Sequence, residues 1–440
     1  MKWIRRKQAW LAVLIPGALA FSSWGAPPPP TDLIPTPVPN PAPTPYAAWT
    51  NGPSDQVDYF PIGVWLQNPS RAAEYQALGI NLYIGLWEGP TAWQISTLTA
   101  AGIPVICEQN DYARANLNNP TFVGWMQMDE PDNAQKIETF WQSDTDLIAA
   151  AWPEYADRTL ASWGTWGPPA SPLQITNEYH EIKSFDTTRP VFLGLGQGIA
   201  WDGWGGRGVR TGNLADYPKY AKGGDILAFD IYPVVHSDPE IAGALWRVPY
   251  GTQRLRGWAE ENPTWADIEC THISNPDIKA TPEQVRSEVW MAIVFGARGI
   301  IYFVHQFQPT FIEAALLSDP EMMVAVTAIN AQIQGLATVL NQPSIIGKVD
   351  VVSSNSATPV RTMVKEEGGS MYVFSAAMHD EATVATFTLE GIPSPTPVEV
   401  LGEGRTLMAT NGIFSDAFSP SDVHIYKAEM NEGGFIFILH

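Results

Sequence analysis

Basic residues are scarce in this chain. Its 440 residues include 25 lysines and arginines against 46 aspartates and glutamates, for a formal net charge of −21. A surface this acidic repels phosphodiester backbones and anionic bilayers, so neither nucleic-acid nor charge-driven membrane binding is expected. It suits a neutral ligand better than a polyanionic one. Cysteine is rarer still, with only Cys107 and Cys270, which leaves neither a disulfide scaffold nor a cysteine zinc motif. The two fall on strands well apart in the expected order, so two buried free thiols are expected. After the N-terminal region no apolar run is long enough to span a bilayer. There is no Gly-x-Ser-x-Gly elbow, which argues against a serine esterase. His180-Glu181 lacks the second histidine of a zinc-protease helix. A single Gly-x-Gly-x-x-G match, from Gly203 to Gly208, has no strand feeding it and no helix opening from it, so it does not mark a nucleotide site. No cofactor and no metal are expected.

What is present divides the chain. Lys2, Arg5, Arg6 and Lys7 precede an apolar run from Ala9 to Phe21 and small residues up to Ala26. Residues 1–26 therefore read as a secretory signal peptide, and the protein as secreted, extracellular or periplasmic. Residues 27–50 form a proline-rich linker, expected to be an extended spacer that could tether the body to a surface. Across 51–343, apolar strand-like runs at 60–67, 81–87, 104–109, 123–128, 190–195, 226–235, 264–271 and 299–306 alternate with helical stretches. Eight such units predict an α/β fold, a (β/α)8 barrel of the TIM type. Residues 344–440 change to short alternating strands separated by Gly, Pro, Asn and Ser, expected to be a small antiparallel β-sandwich. Nothing in the pattern calls for a partner subunit, and a monomer is expected.

Residues 123–132, Val-Gly-Trp-Met-Gln-Met-Asp-Glu-Pro-Asp, organise the functional reading. They run as a buried strand and stop in acids around Pro131. Adjacent carboxylates at a buried strand's end are costly unless used or paired, and in barrels the chemistry sits at these ends. The strand ends supply Trp65, Trp87, Glu108, Asp129, Glu130, Asp230, Tyr232, Glu269, His272 and His305. Acids bond hydroxyls and aromatic faces stack on sugar rings, so the ring suits a carbohydrate. Trp163, Trp166, Trp201 and Trp204, in Gly-rich loops, are candidate sugar platforms that could equally plug the barrel mouth. Glu130 and Glu269 end the fourth and seventh strands, as glycoside hydrolysis by two carboxyl groups requires. Asp267 or Glu108 could replace Glu269 in that role.

This layout resembles the clan A, or "4/7", retaining glycoside hydrolases. The likeness is carried by residues 124–131, by Phe-Asp-Ile-Tyr-Pro at 229–233, Ala-Asp-Ile-Glu-Cys-Thr at 266–271 and Asp-Thr-Thr-Arg-Pro-Val at 186–191. The resemblance implies Glu130 as general acid/base, Glu269 as nucleophile and Tyr232 bonded to the nucleophile. It also implies cleavage of β-glycosidic bonds in a neutral poly- or oligosaccharide by double displacement. Where such enzymes usually carry Asn before the acid/base, this chain has Asp129. The alternative is a non-catalytic carbohydrate-binding barrel that has lost its chemistry.

Overall fold

The computed structural model describes residues 26–35 and 44–430. The expected signal, up to residue 25, lies outside the described residues, as does 36–43 within the proline-rich stretch. Eight parallel strands close into a barrel in sequence order: β1 (Ile62–Trp65), β2 (Leu82–Ile84), β3 (Val105–Cys107), β4 (Phe122–Met126), β5 (Val191–Leu195), β6 (Ile226–Phe229), β7 (Thr264–Glu269) and β8 (Gly299–Phe303). Side chains alternate across each strand. Ile106 faces the barrel interior with Ile84, Phe192, Trp265 and Ile301, while its neighbours Val105 and Cys107 pack outward under the helices. Cys107 and Cys270 are both buried and free.

Strands six, seven and eight stop earlier than the apolar pattern suggests. The residues after them, Asp230–Val235 among them, therefore belong to the loops of the barrel mouth. Residues 134–151, whose sequence pattern is helical, are helical only over Thr145–Ala151. Gln142 and Ser143 take positive φ values of 56° and 53°, which ends regular structure there. The preceding segment folds instead around Ile137, Trp141, Trp152 and Trp163.

The Asp-Thr-Thr-Arg segment holds β4 and β5 together. Arg189 Nη1 meets Asp186 Oδ2 at 2.7 Å with both side chains buried. The same oxygen accepts from Trp125 Nε1 on β4 at 2.9 Å, and Arg189 Nε donates to the Phe122 carbonyl at 2.8 Å. Removing one partner of such a buried pair costs about 3–5 kcal/mol, so this segment fixes the register of the strand that carries Glu130.

The proline-rich stretch does not stand free where it is described. Lacking internal hydrogen bonds, a polyproline-like chain offers its carbonyls outward. Trp246 Nε1 donates to Pro27 O and Arg361 Nε to Leu33 O, each at 2.7 Å. Gln253 bonds both Ile34 N and Asp32 O, and Leu33 is buried. Further on, Tyr46 closes the barrel floor, donating to Arg298 O at 2.7 Å and accepting from Trp265 Nε1 at 2.9 Å.

Two antiparallel sheets follow the barrel. The strands are β9 (Val349–Ser353), β10 (Val360–Glu367), β11 (Ser370–Ala377), β12 (Thr383–Leu389), β13 (Thr396–Val400), β14 (Arg405–Ala409), β15 (Ile413–Phe418) and β16 (Val423–Glu429). One sheet has the order β10-β11-β16-β13-β14 and the other β15-β12-β9. Strands β14 and β15 were not anticipated, because their turn-rich flanks hide the alternation. Trp290 on the helix after β7 stacks on Phe374 of β11, joining barrel to sandwich.

Candidate active site

Asp129 and Glu130 lie in the loop that leaves β4, three and four residues past its last residue Met126. Glu130 takes φ 40°, a strained backbone for a residue with a side chain, of the sort retained at functional sites. The strain is held by bonds on both sides: Glu130 N donates to Gly194 O at 3.0 Å, and Asn133 N donates to Glu130 O at 3.1 Å. Two glycines at the end of β5 make room for the acids. A Cβ at Gly196 would sit 2.8 Å from Glu130 Oε1, and one at Gly194 would sit 3.2 Å from Asp129 Oδ1. Asp132, the third acid of the motif, is structural. It accepts from Gly196 N at 2.9 Å and from Tyr217 OH at 3.1 Å, tying the β4 loop to the β5 loop.

Around Glu130 the barrel mouth gathers three more carboxyl groups. Asp230, just past β6, is hydrogen-bonded to Glu130, as is Asn133. Asp267 lies on β7, two residues before its end, on the same strand face as the interior residue Trp265. Asp129, Glu130, Asp230 and Asp267 all have raised proton affinities. Burial is the largest cause for each, and the charges of neighbouring acids add to it. Glu130 is pushed up to about 7. Among the described residues, the charges that act most strongly on these four groups are those of other acids. Asp230 Oδ1 and Asp267 Oδ1 are closed off from solvent with no donor from the chain. Tyr232 completes the group, its hydroxyl within range of all four charges.

Glu269, expected opposite Glu130, is not brought to this cluster. It is 0% exposed, and its carboxylate accepts from Val234 N at 2.6 Å and Val235 N at 3.0 Å. Its other contact is the fully buried Glu288, on the helix Pro282–Val294. Burial raises the proton affinity of both glutamates; the charge of Glu269 pushes Glu288 further up, whereas contact with Glu288 and the two backbone N–H groups lowers that of Glu269, so the proton of the pair rests on Glu288. Glu269 thus fastens the loop that follows Tyr232, while the strand-seven acid whose charge bears on Asp129, Asp230 and Tyr232 is Asp267.

The remaining candidates separate cleanly. Trp65 is buried in the barrel interior. Trp87 donates from Nε1 to Glu313 Oε1 at 2.8 Å and meets the His305 ring edge-on. His305 is 1% exposed, and burial lowers its pKa to about 4, so it is a neutral wall of the mouth. His272 turns to the carbonyls of Asn275 and Ile278 and braces the β7 loop. Glu108 is exposed and its charged neighbours are Arg114 and Glu178, outside the cluster. Trp163 is core of the segment after β4, with Arg158 4.3 Å over its ring. Trp166 is 38% exposed beside Lys136. Trp201 bonds Glu240 and packs on Trp204 at 5.9 Å. Trp204 Nε1 in turn donates to Asn133 Oδ1 at 2.7 Å, and Asn133 also contacts the Glu130 carboxyl. Asn133, Gly194 and Gly196 were missed in the sequence. Their only signal was position, beside an acid at one strand end and at the end of the next strand.

Among the described residues no group of three or more His, Cys, Asp or Glu side chains could hold a metal ion. No helix among them is long and apolar enough to cross a membrane.

The elevated acids imply a pH dependence of stability. A carboxyl group whose pKa is higher folded than unfolded stabilises the fold at low pH, and that contribution is lost as pH rises through the folded pKa. For Glu130 the window runs from the ordinary glutamate value of 4.5 to about 7, and Asp129, Asp230, Asp267 and Glu288 add in the same sense. Asp186, Asp319 and Asp416, with lowered pKa values, oppose this below their ordinary range. The apparent melting temperature should peak at mildly acidic pH and fall by several degrees by pH 8. A thermal-shift series from pH 4 to 9 that rises steadily toward pH 8 would contradict this assignment of protons.

No protein-family model matches the chain, and no curated protein does. Solved structures with a similar fold include a GH42 beta-galactosidase from G. stearothermophilus, with a TM-score of 0.50 at 9% identity over 88% of this chain and 100% of that one. An Anoxybacillus alpha-amylase gives 0.46 at 9% identity over 86% and 100%. A GH30 endoxylanase from Clostridium papyrosolvens gives 0.44 at 11% identity over 84% and 96%. What is shared with the first of these is the fold, a closed parallel barrel followed by C-terminal sheets.

Proposed function

We propose that this protein is a glycoside hydrolase that cleaves β-glycosidic bonds in a neutral oligo- or polysaccharide by double displacement. Glu130 serves as acid/base and Asp267 as nucleophile. The observation that carries the reading is a half-buried Glu130 whose pKa is pushed up to about 7, in the loop that leaves the fourth barrel strand and within charge range of the strand-seven acid Asp267. Near neutrality such a group still holds a proton to give, which a general acid needs.

In the first step the Glu130 proton passes to the glycosidic oxygen as its bond to the anomeric carbon breaks. The Asp267 carboxylate attacks that carbon from the opposite face and forms a glycosyl ester. In the second step Glu130, now ionised, takes a proton from water, which attacks the same carbon. The sugar leaves with its configuration retained and the Asp267 carboxylate is regenerated. Only some of the four clustered acids are ionised at once. Positive charge developing on the sugar ring favours ionised Asp267, while the bond from Asp230 holds Glu130 in place. Asp129 also fits: kept protonated by burial, it offers one donor and one acceptor to a sugar hydroxyl, as the usual Asn would. A carboxylate-bearing sugar would meet four acids and no cation, so the substrate is neutral. The basic and then apolar residues 2–21 support export as the route to such a polymer.

The test is digestion of aryl β-glucoside, β-galactoside, β-xyloside and β-mannoside, together with cello-, xylo-, manno- and laminaripentaose. Release of sugar from at least one is expected. Binding of a pentaose with no product after long incubation would instead mark a carbohydrate-binding barrel, and neither binding nor release would overturn the reading.

A further inference from the structure

An unbroken run of aromatic rings leads from the acid cluster out to solvent, and the catalytic account does not use its outer half. Tyr232, beside the acids, lies 5.1 Å from Phe303, and Phe303 lies 5.1 Å from His305. His305 is stacked on Phe307 at 6.1 Å and 7° and on Phe311 at 6.2 Å and 23°, with 5.7 Å between the two phenylalanines. Phe311 is 57% exposed and its neighbour Ile312 is 37% exposed. Large apolar side chains held side by side in water mark a contact surface.

The loop carrying them is built to hold still. Gln306 and Ile312 exchange both backbone hydrogen bonds, at 2.9 and 2.8 Å, and Phe307 N donates to Ile273 O at 2.6 Å. Glu313, just beyond, is fixed by Trp87. A ring presented at a fixed angle can stack on the apolar face of a sugar without first being ordered. Its distance from the acids, across three intervening rings, places it beyond the sugar at which cleavage occurs.

We infer that Phe311, backed by Phe307, is a stacking platform for a sugar unit remote from the bond cleaved, so that the substrate is a carbohydrate chain of several units rather than a short glycoside. This rests on the reading of the mouth as a glycosidase site.

The experiment compares wild type with Phe311→Ala and Phe311→Trp on the pentaose and the aryl monoglycoside of the same sugar series. For Phe311→Ala, kcat/KM on the pentaose should fall about tenfold, the order of one lost aromatic contact, through KM. The aryl monoglycoside, too short to reach the platform, should be turned over at the wild-type rate. Phe311→Trp should keep pentaose kcat/KM at or above the wild-type value. Equal kcat/KM for wild type and Phe311→Ala on the pentaose overturns the platform and leaves the glycosidase reading standing. Equal losses on both substrates also overturn it, since they mark a structural role. Failure of wild type to act on any member of either set sinks both.

Discussion

Glu130→Gln should lower kcat by about a thousandfold or more, within the range that positioned general acids supply. The loss should depend on the leaving group. A sugar alcohol needs a proton as it departs, whereas dinitrophenolate does not, so glycosylation with an activated aryl glycoside should be spared while deglycosylation remains slow. The pH profile gives a second signature. With Glu130 raised to about 7, wild-type activity should decline on the alkaline side of that value as the acid loses its proton. Glutamine cannot titrate, and the variant's residual activity should lose that limb. Initial rates on paired alkyl and activated aryl glycosides, from pH 4 to 9, read out both effects. A variant with near wild-type kcat on the alkyl glycoside would remove Glu130 from the chemistry.

The second large effect separates two acids on one strand. Asp267→Asn should reduce kcat by about ten-thousandfold or more, since loss of a catalytic nucleophile leaves only the remaining transition-state stabilisation. Glu269→Gln should leave kcat within a few-fold of wild type and lower the melting temperature instead. Its carboxylate is fully buried and accepts from Val234 N and Val235 N through its two oxygens; glutamine keeps one accepting oxygen and puts an NH2 donor against the other N–H. Leaving a buried donor unsatisfied costs about 1–3 kcal/mol. Kinetics and thermal unfolding of the two variants, measured side by side, distinguish the roles. The reverse pattern would return the strand-seven role to Glu269.

The sequence made the barrel legible because each strand was an apolar run bounded by a helix, and the run 123–132 made its own end visible in acids. It also brought Asp129, Glu130, Asp230 and Tyr232 to the mouth by strand-end position alone. Strand parity could not choose between Asp267 and Glu269. Both share the inward face with Trp265, and position favoured the last residue. What holds Glu269 is non-local: two backbone N–H groups about 35 positions earlier and a glutamate on the following helix. For Trp163 the choice between platform and plug was likewise open in the sequence. A tryptophan in a Gly-rich loop looks solvent-facing until the loop folds on its own small core with Trp141 and Trp152. Trp204 did face the site, through Asn133, and no pattern in the chain announced that bond. The proline-rich stretch read as a spacer by composition, yet the partners that dock it, Trp246, Gln253 and Arg361, are scattered across the barrel helix and the sandwich.

The most direct measurement is to trap the glycosyl-enzyme. The protein would be incubated with an activated 2-deoxy-2-fluoro glycoside of the sugar released in the panel digestion, then cleaved with trypsin and sequenced by fragment-ion mass spectrometry. Residues 257–279 form one tryptic peptide carrying both strand-seven acids, so the fragment ions must locate the label. One glycosyl unit attached to Asp267 is the expected result. The same unit on Glu269, or on a peptide from another strand, would contradict the account.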